Sequence, residues 1–96
     1  MNAARTLAAT LAALLAAPLA ADEAWTLAGQ QGLVRYVIVP VSQARDAEAY
    51  RRQLERVCEP ERTCFVNFYT NSTGAAVALP LPEAIAAEAT ATYRRS

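Results

Sequence analysis

The chain begins with an apolar stretch that makes up about a fifth of its length and that we do not expect to belong to the folded domain. Residues 1–21 begin with Arg5 in a short polar start, continue as a run of mostly Leu and Ala from residue 7 to residue 17, and end in Pro18-Leu19-Ala20-Ala21. A basic start, an apolar centre and small residues at the exit are typical of a bacterial signal peptide. We predict cleavage after Ala20 or Ala21, which leaves about 75 of the 96 residues as one small domain over 22–96.

Two other interpretations of this stretch are weaker. A retained membrane anchor needs roughly 20 apolar residues, and this run has about 15, with Pro18 near its end. A helix of the fold would need a charged face, and no charge lies between Thr6 and Ala21. The sequence therefore predicts a protein of the periplasm or a secreted protein, with no stable membrane anchor after cleavage.

Cys58 and Cys64 are the only cysteines. In an exported chain an even number of cysteines argues for a disulfide, and the polar turn between them contains Pro60, which ends any preceding helix. The bridge is expected to tie a helix end to the next element and to add about 2 kcal/mol. A catalytic dithiol is the alternative, but it favours Cys-x-x-Cys at a helix N-terminus. Here Cys58 is expected at a helix C-terminus beside Glu59 and Glu61.

Composition excludes several function classes. The nine basic residues, all Arg, balance nine acidic ones, so no positive surplus exists for nucleic acid or an anionic membrane. The absence of His removes the imidazole base, His-ligated zinc and haem ligation by His. Gly29 and Gly32 lack the pattern of a phosphate-binding loop. We expect no cofactor, no metal and no nucleic-acid partner.

Three elements have strong local patterns. Residues 33–41 and 64–70 are rich in β-branched and aromatic side chains and are predicted to be strands. Between them, Ser42 or Asp46 is a candidate N-cap for an amphipathic helix. Its apolar stripe recurs at three and four residues and consists of Ala47, Tyr50, Leu54 and Val57. Alternating Glu and Arg on the opposite face predict a solvated surface.

The remaining segments are less regular. Residues 22–28 fit either a short helix or a strand, followed by a turn at 29–32. Residues 75–81 contain a weak strand pattern at Ala76, Val77 and Leu79. Pro82 fits the first position of a final helix, whose inner stripe would comprise Leu81, Ile85, Ala89 and Thr92 or Tyr93.

The order strand, helix, strand, helix predicts the fold class. A crossover helix places the two strong strands parallel and adjacent. We therefore expect an α/β fold, on the border of α+β, in the form of a small two-layer βαβα unit with one disulfide.

One face of that sheet would lack a helix yet still be apolar. Strand alternation puts Tyr36 and Ile38 on the same side as Phe65 and Tyr69. Leaving such side chains in water is unfavourable, so something is expected to cover them. The cover is either the chain itself, through residues 25–27 or 77–81, or a partner that forms a homodimer or another periplasmic complex.

A polar loop follows the second strand. Thr70, Asn71, Ser72, Thr73 and Gly74 lie at its carboxyl end, where open α/β sheets bind ligands. Their hydroxyls and amides make the loop a candidate binding site, although the same residues are common in any turn.

No serine has a base at a mechanistic spacing. The sequence therefore predicts a small exported binding or interaction protein without catalysis. A minimal carboxylate-based hydrolase and a thiol redox module are the alternatives.

Overall fold

The computed structural model describes residues 23–96, which form a four-stranded sheet in the order β1-β2-β3-β4. The predicted signal peptide and its cleavage site lie outside the described residues. The elements are, in chain order, β1 (Thr26–Gln31), β2 (Val34–Val39), a 3-10 turn (Val41–Gln43), α1 (Ala47–Val57), β3 (Cys64–Thr70), α2 (Glu83–Ala86) and β4 (Ala89–Arg95). Strand order in space therefore follows strand order in the chain.

β2 and β3 are parallel and adjacent, as predicted, and α1 is the crossover between them. β1 pairs antiparallel with β2, and β4 pairs antiparallel with β3. The molecule is thus a small α+β fold with a mixed sheet, two helices and one disulfide. The predicted βαβα unit is correct for its central parallel pair and incomplete at both ends, where antiparallel strands extend the sheet.

The main core lies between α1 and one face of the sheet. Its buried members are Val37, Val39, Cys58, Cys64, Val66 and Phe68. Tyr50, Leu54 and Val57 pack against them from α1, which confirms three positions of the predicted stripe. Ala47, the fourth, is exposed because it is the first residue of the helix, and Ala49 is buried in its place.

The end of β2 and the start of α1 follow from local chemistry. β2 stops at Val39, short of the predicted end, because Pro40 has no N–H to donate to the ladder. Pro40 instead opens the 3-10 turn, and its carbonyl accepts a hydrogen bond from the Gln43 N–H at 2.8 Å. Asp46, rather than Ser42, caps α1 by accepting a hydrogen bond from the Ala49 N–H at 3.2 Å.

The N-terminal segment of the domain, whose sequence fits either a short helix or a strand, forms a strand. β1 runs through Gln31, so the turn is shorter than the predicted 29–32 and occupies Gly32 and Leu33. Gly32 has φ +59°, a left-handed conformation that favours glycine.

The predicted C-terminal helix is wrong over most of its length. α2 ends at Ala86, and β4 takes up Ala89–Arg95. Ile85 is the one predicted stripe residue within a helix, and it is fully buried. Thr90 and Thr92 are β-branched and favour a strand, and β4 pairs with the edge of β3 that would otherwise stay unpaired.

Residues 75–82 form no strand. They lie beside the face of the sheet that α1 leaves free, since a Cβ added to Gly29 would meet Leu79 Cδ1 at 2.6 Å. Gly29 pairs with Tyr36, whose side chain lies on that face. The chain itself therefore covers part of the second face.

Candidate binding cleft

A cleft of about 740 Å³ opens at the carboxyl ends of the parallel strands β2 and β3. Its apolar walls come from three separate segments and include Trp25, Ile38, Val39, Pro40, Val41 and Val77. Its polar lining consists of Glu23, Thr26, Gln43 and Asn71. The volume is in the range of small-molecule sites, roughly 300–1,000 Å³, and the carboxyl edge is where open sheets with a crossover helix bind ligands.

Trp25 is fixed in position at one wall of the cleft. Its indole Nε1–H donates to Gln43 Oε1 at 2.6 Å, and its backbone N–H donates to Gln53 Oε1 at 2.9 Å. Its ring packs edge-on against Tyr50 and Phe68, with centroid separations of 5.1 and 6.1 Å. The cleft therefore has a preformed aromatic wall.

Gln53 joins this wall to α1. It is a buried polar residue at 5% exposure, so both ends of its amide need partners. Its Oε1 accepts from Trp25, and its Nε2 donates to the Glu23 carbonyl at 2.9 Å. A single side chain thus holds the backbone of Glu23 and Trp25 at the rim of the cleft.

The charge of the lining restricts what it can hold. Glu23 is the one ionisable side chain among the described lining residues, and no arginine lines the cleft. An anionic ligand would find no countercharge there, whereas a neutral or cationic group with apolar surface would meet the indole, the aliphatic side chains and one carboxylate.

The predicted loop 70–74 is held by a carboxylate that its sequence does not reveal. Glu88 Oε2 accepts from the Ser72 hydroxyl at 2.6 Å, and Oε1 accepts from the Thr70 hydroxyl at 2.6 Å and the Ser72 N–H at 3.0 Å. These hydrogen bonds, the Ser72 hydroxyl first, hold the pKa of Glu88 below its ordinary value. A carboxyl with a lowered pKa is a poor proton donor at neutral pH.

The rest of the loop is also internally bonded. The Asn71 side chain donates to the Ala75 carbonyl at 2.8 Å and accepts from the Ala75 N–H at 3.0 Å. Gly74 takes a left-handed φ of +70° and Thr73 is exposed. Of the five loop residues, Asn71 lines the cleft. The binding role of the loop stays a prediction, and the structure places that loop at the edge of the cleft.

The predicted partner-facing residues share one face of the sheet. Tyr36, Ile38, Phe65 and Tyr69 all lie opposite α1 and are half-buried. The rings of Tyr36 and Tyr69 stack at 6.2 Å, and Ile38 reaches the cleft. Arg94 lies over the Phe65 ring at 5.5 Å. Leu79 covers this face at Gly29 of β1, and a partner on the rest of it stays a prediction.

No family model, curated protein or solved structure matches this chain.

The predicted disulfide is present between Cys58 and Cys64. Arg35 donates to the Val57 carbonyl, and its Nη1 is 3.8 Å from Cys64 Sγ. Arg95 donates to the Glu59 carbonyl at 2.8 Å and to the Arg62 carbonyl at 3.0 Å. Two arginines from β2 and β4 thus hold the backbone around the bridge.

Other features of residues 23–96 are less specific. Within this range no three His, Cys, Asp or Glu side chains are grouped so as to hold a metal ion, and no helix is long and apolar enough to cross a bilayer. On α1, Arg51 pairs with Glu48 at 3.0 Å and with Glu55 at 3.1 Å, all well exposed. This agrees with a solvated helix face.

Proposed function

We propose that this chain is exported, loses residues 1–21, and works in the periplasm or outside the cell as a small non-catalytic binding domain. The basic, apolar and small-residue regions at its N-terminus support export. The Cys58–Cys64 bridge supports it too, because disulfides persist mainly in oxidising compartments.

The ligand we propose is a small neutral or cationic molecule with an apolar face, bound in the cleft. The observation that carries this proposal is the lining itself, where a fixed indole and aliphatic side chains surround one carboxylate and no base. Trp25 supplies a ring face for an apolar or cationic group. Glu23 supplies the countercharge for an amine.

Fluorescence of Trp25 tests the cleft directly, because it is the chain's single tryptophan. Purified protein is titrated with phenethylamine, phenethyl alcohol and phenylacetate, which share a ring and differ in charge. We expect millimolar binding, as for fragments of this size, with the amine strongest and the carboxylate weakest. Unchanged Trp25 emission with all three would overturn the cleft as a binding site.

Matched variants separate the cleft from the rest of the surface. Val77→Arg fills the cleft and is expected to abolish binding, whereas Leu33→Arg changes an exposed residue in the β1–β2 turn and leaves binding intact. Glu23→Gln is expected to remove the preference for the amine over the alcohol. An equal loss in the Val77 and Leu33 variants would contradict the assignment.

The same preparation tests export. The protein is expressed in a bacterium with its own N-terminus and recovered from the periplasm. Intact mass is expected to correspond to a start at Ala21 or Asp22 with the disulfide formed. Protein found in the cytosol with Met1 retained and both thiols free would contradict the proposed location.

A further inference from the structure

A second groove, of about 520 Å³, reaches Cys58, one of the two cysteines of the disulfide. It lies between α1 and β4, and its walls include Leu54 and Cys58 on one side and Tyr93 and Arg95 on the other. Cys58 is 7% exposed and lines the groove, whereas Cys64 is 2% exposed and does not. The groove therefore reaches Cys58 and not Cys64.

The buried sulfur has a cation beside it. Arg35 Nη1 is 3.8 Å from Cys64 Sγ. In thiol–disulfide exchange, the attacked sulfur keeps a bond and the other leaves as a thiolate, and the rate rises when that thiolate is stabilised. Attack at Cys58 would make Cys64 the leaving group, next to the guanidinium of Arg35.

The backbone around the bridge is held by contacts that do not involve sulfur. Arg35 binds the Val57 carbonyl, and Arg95 binds the carbonyls of Glu59 and Arg62. Opening the S–S bond therefore leaves the end of α1 and the start of β3 tied together. The two thiols stay close enough to form the bond again.

We propose that the Cys58–Cys64 disulfide is an exchange site for an external thiolate that enters this groove. The thiolate attacks Cys58 Sγ and forms a mixed disulfide with it, while the Cys58–Cys64 bond breaks and Cys64 Sγ leaves with the electron pair. The Cys64 thiolate reverses the step, or a second external thiolate attacks the external sulfur of the mixed disulfide, so that Cys58 Sγ leaves as a thiolate, the two external sulfurs depart joined as a disulfide, and Cys58 and Cys64 are left reduced. Arg95 lines the groove and supplies a positive charge for an incoming thiolate, whereas Arg51 is paired with Glu48 and Glu55.

The test is the rate of exchange in folded protein. The mature protein is incubated with reduced glutathione or with a small Cys-x-x-Cys protein over a range of urea concentrations below the unfolding transition. We expect a rate that is nearly independent of urea and a trapped adduct on Cys58 by peptide mass mapping. Reaction with either thiol at Cys58 supports the proposal, and faster reaction with the protein dithiol identifies a protein as the source. A rate that rises with urea as steeply as unfolding does, or an adduct on Cys64, overturns it.

Variants of Arg35 test the leaving group. Arg35→Gln is expected to slow exchange at least about threefold, and Arg35→Lys, which keeps the charge, to retain most of the rate. Arg45→Gln, an exposed change outside the groove, is the matched control and should leave the rate unchanged. Urea unfolding of each variant shows that it is folded. If Arg35→Gln destabilises the fold, the exchange rate of the Lys variant and the urea dependence of the parent protein still test the proposal. An unchanged rate in folded Arg35→Gln contradicts the proposal.

Discussion

Glu88 shows how one carboxylate can fix two elements at once. Its side chain accepts from the hydroxyls of Thr70 and Ser72, and its backbone carbonyl accepts from the Thr70 N–H at 3.0 Å. The end of β3, the loop after it and the turn before β4 are therefore held by a single residue. The charged form of the carboxyl makes these bonds, so the pKa of Glu88 is lowered in the folded state.

This lowered pKa predicts a pH dependence of stability. A group whose folded-state pKa lies below its unfolded value, about 4.3 for Glu, contributes stability above that value and loses it as the pH falls through the folded pKa. Glu88→Gln should lower the thermal midpoint at pH 7, and the difference from the parent should shrink in acid and vanish below the lowered pKa. Thermal unfolding monitored by circular dichroism measures this. Glu59→Gln, an exposed change, is the control, and a constant difference at every pH would contradict the role of the charge.

At the scale of elements, both edges of the sheet are interrupted. Ala28 has no partner in the pairing of β1 with β2, and Thr90 has none in the pairing of β4 with β3. Such bulges on edge strands disfavour pairing with a further strand. The surfaces on which we propose interactions are therefore the cleft and the face of the sheet that α1 leaves free, and not the edges of the sheet.

The contact between residues 75–82 and β1 is testable at Gly29. Gly29 has φ +155°, and an added Cβ would lie 2.6 Å from Leu79 Cδ1. Gly29→Ala should therefore cost roughly 1–3 kcal/mol in urea unfolding. Gly74→Ala is the matched control, since its φ is +70° but nothing lies within 4 Å of the added Cβ. Leu79→Ala in the Gly29→Ala background should recover part of the loss, and equal costs at Gly29 and Gly74 would contradict the close packing.

Local patterns predicted the elements that carry their own signal. β3 matches the predicted 64–70, and α1 begins where Asp46 caps it. Residues 89–95 carry no such signal, because Ala, Thr and Tyr there suit a helix or a strand and the free edge of β3 decides between them. The prediction failed where pairing between distant segments outweighed local preference.

The cleft was predictable only in part. The loop after β3 is correctly placed at the carboxyl edge, and Asn71 does line the cleft. Trp25, Gln43 and Val77 come from three segments far apart in the chain, and no spacing links them before the chain folds. Glu88 likewise carries no signal of its contact with Ser72, 16 residues away.

At the scale of the whole molecule, stability rests on a small core. Eight apolar residues are buried in the described part of the chain, and two of them are the bridged cysteines. A domain of this size depends on extra constraints. The disulfide is therefore a substantial part of the total stability.

Removing the bridge should weaken the fold without abolishing it. For so short a loop, the double variant Cys58→Ser with Cys64→Ser should lose about 2 kcal/mol in urea unfolding. Arg35 and Arg95 keep the surrounding backbone in place, so far-ultraviolet circular dichroism should stay close to that of the parent. A double variant that is unfolded without urea would show that the arginine contacts are insufficient.

The succession of strands across the sheet repeats their succession along the chain. If the chain emerged from a narrow pore with its N-terminus first, each strand could pair with the preceding strand as soon as it emerged. No strand would need a neighbour that comes much later in the sequence. Pairing in this order keeps short the loops that must close between neighbouring strands. Each new strand would add to the same edge of the growing sheet, and β4 would be the last to be added.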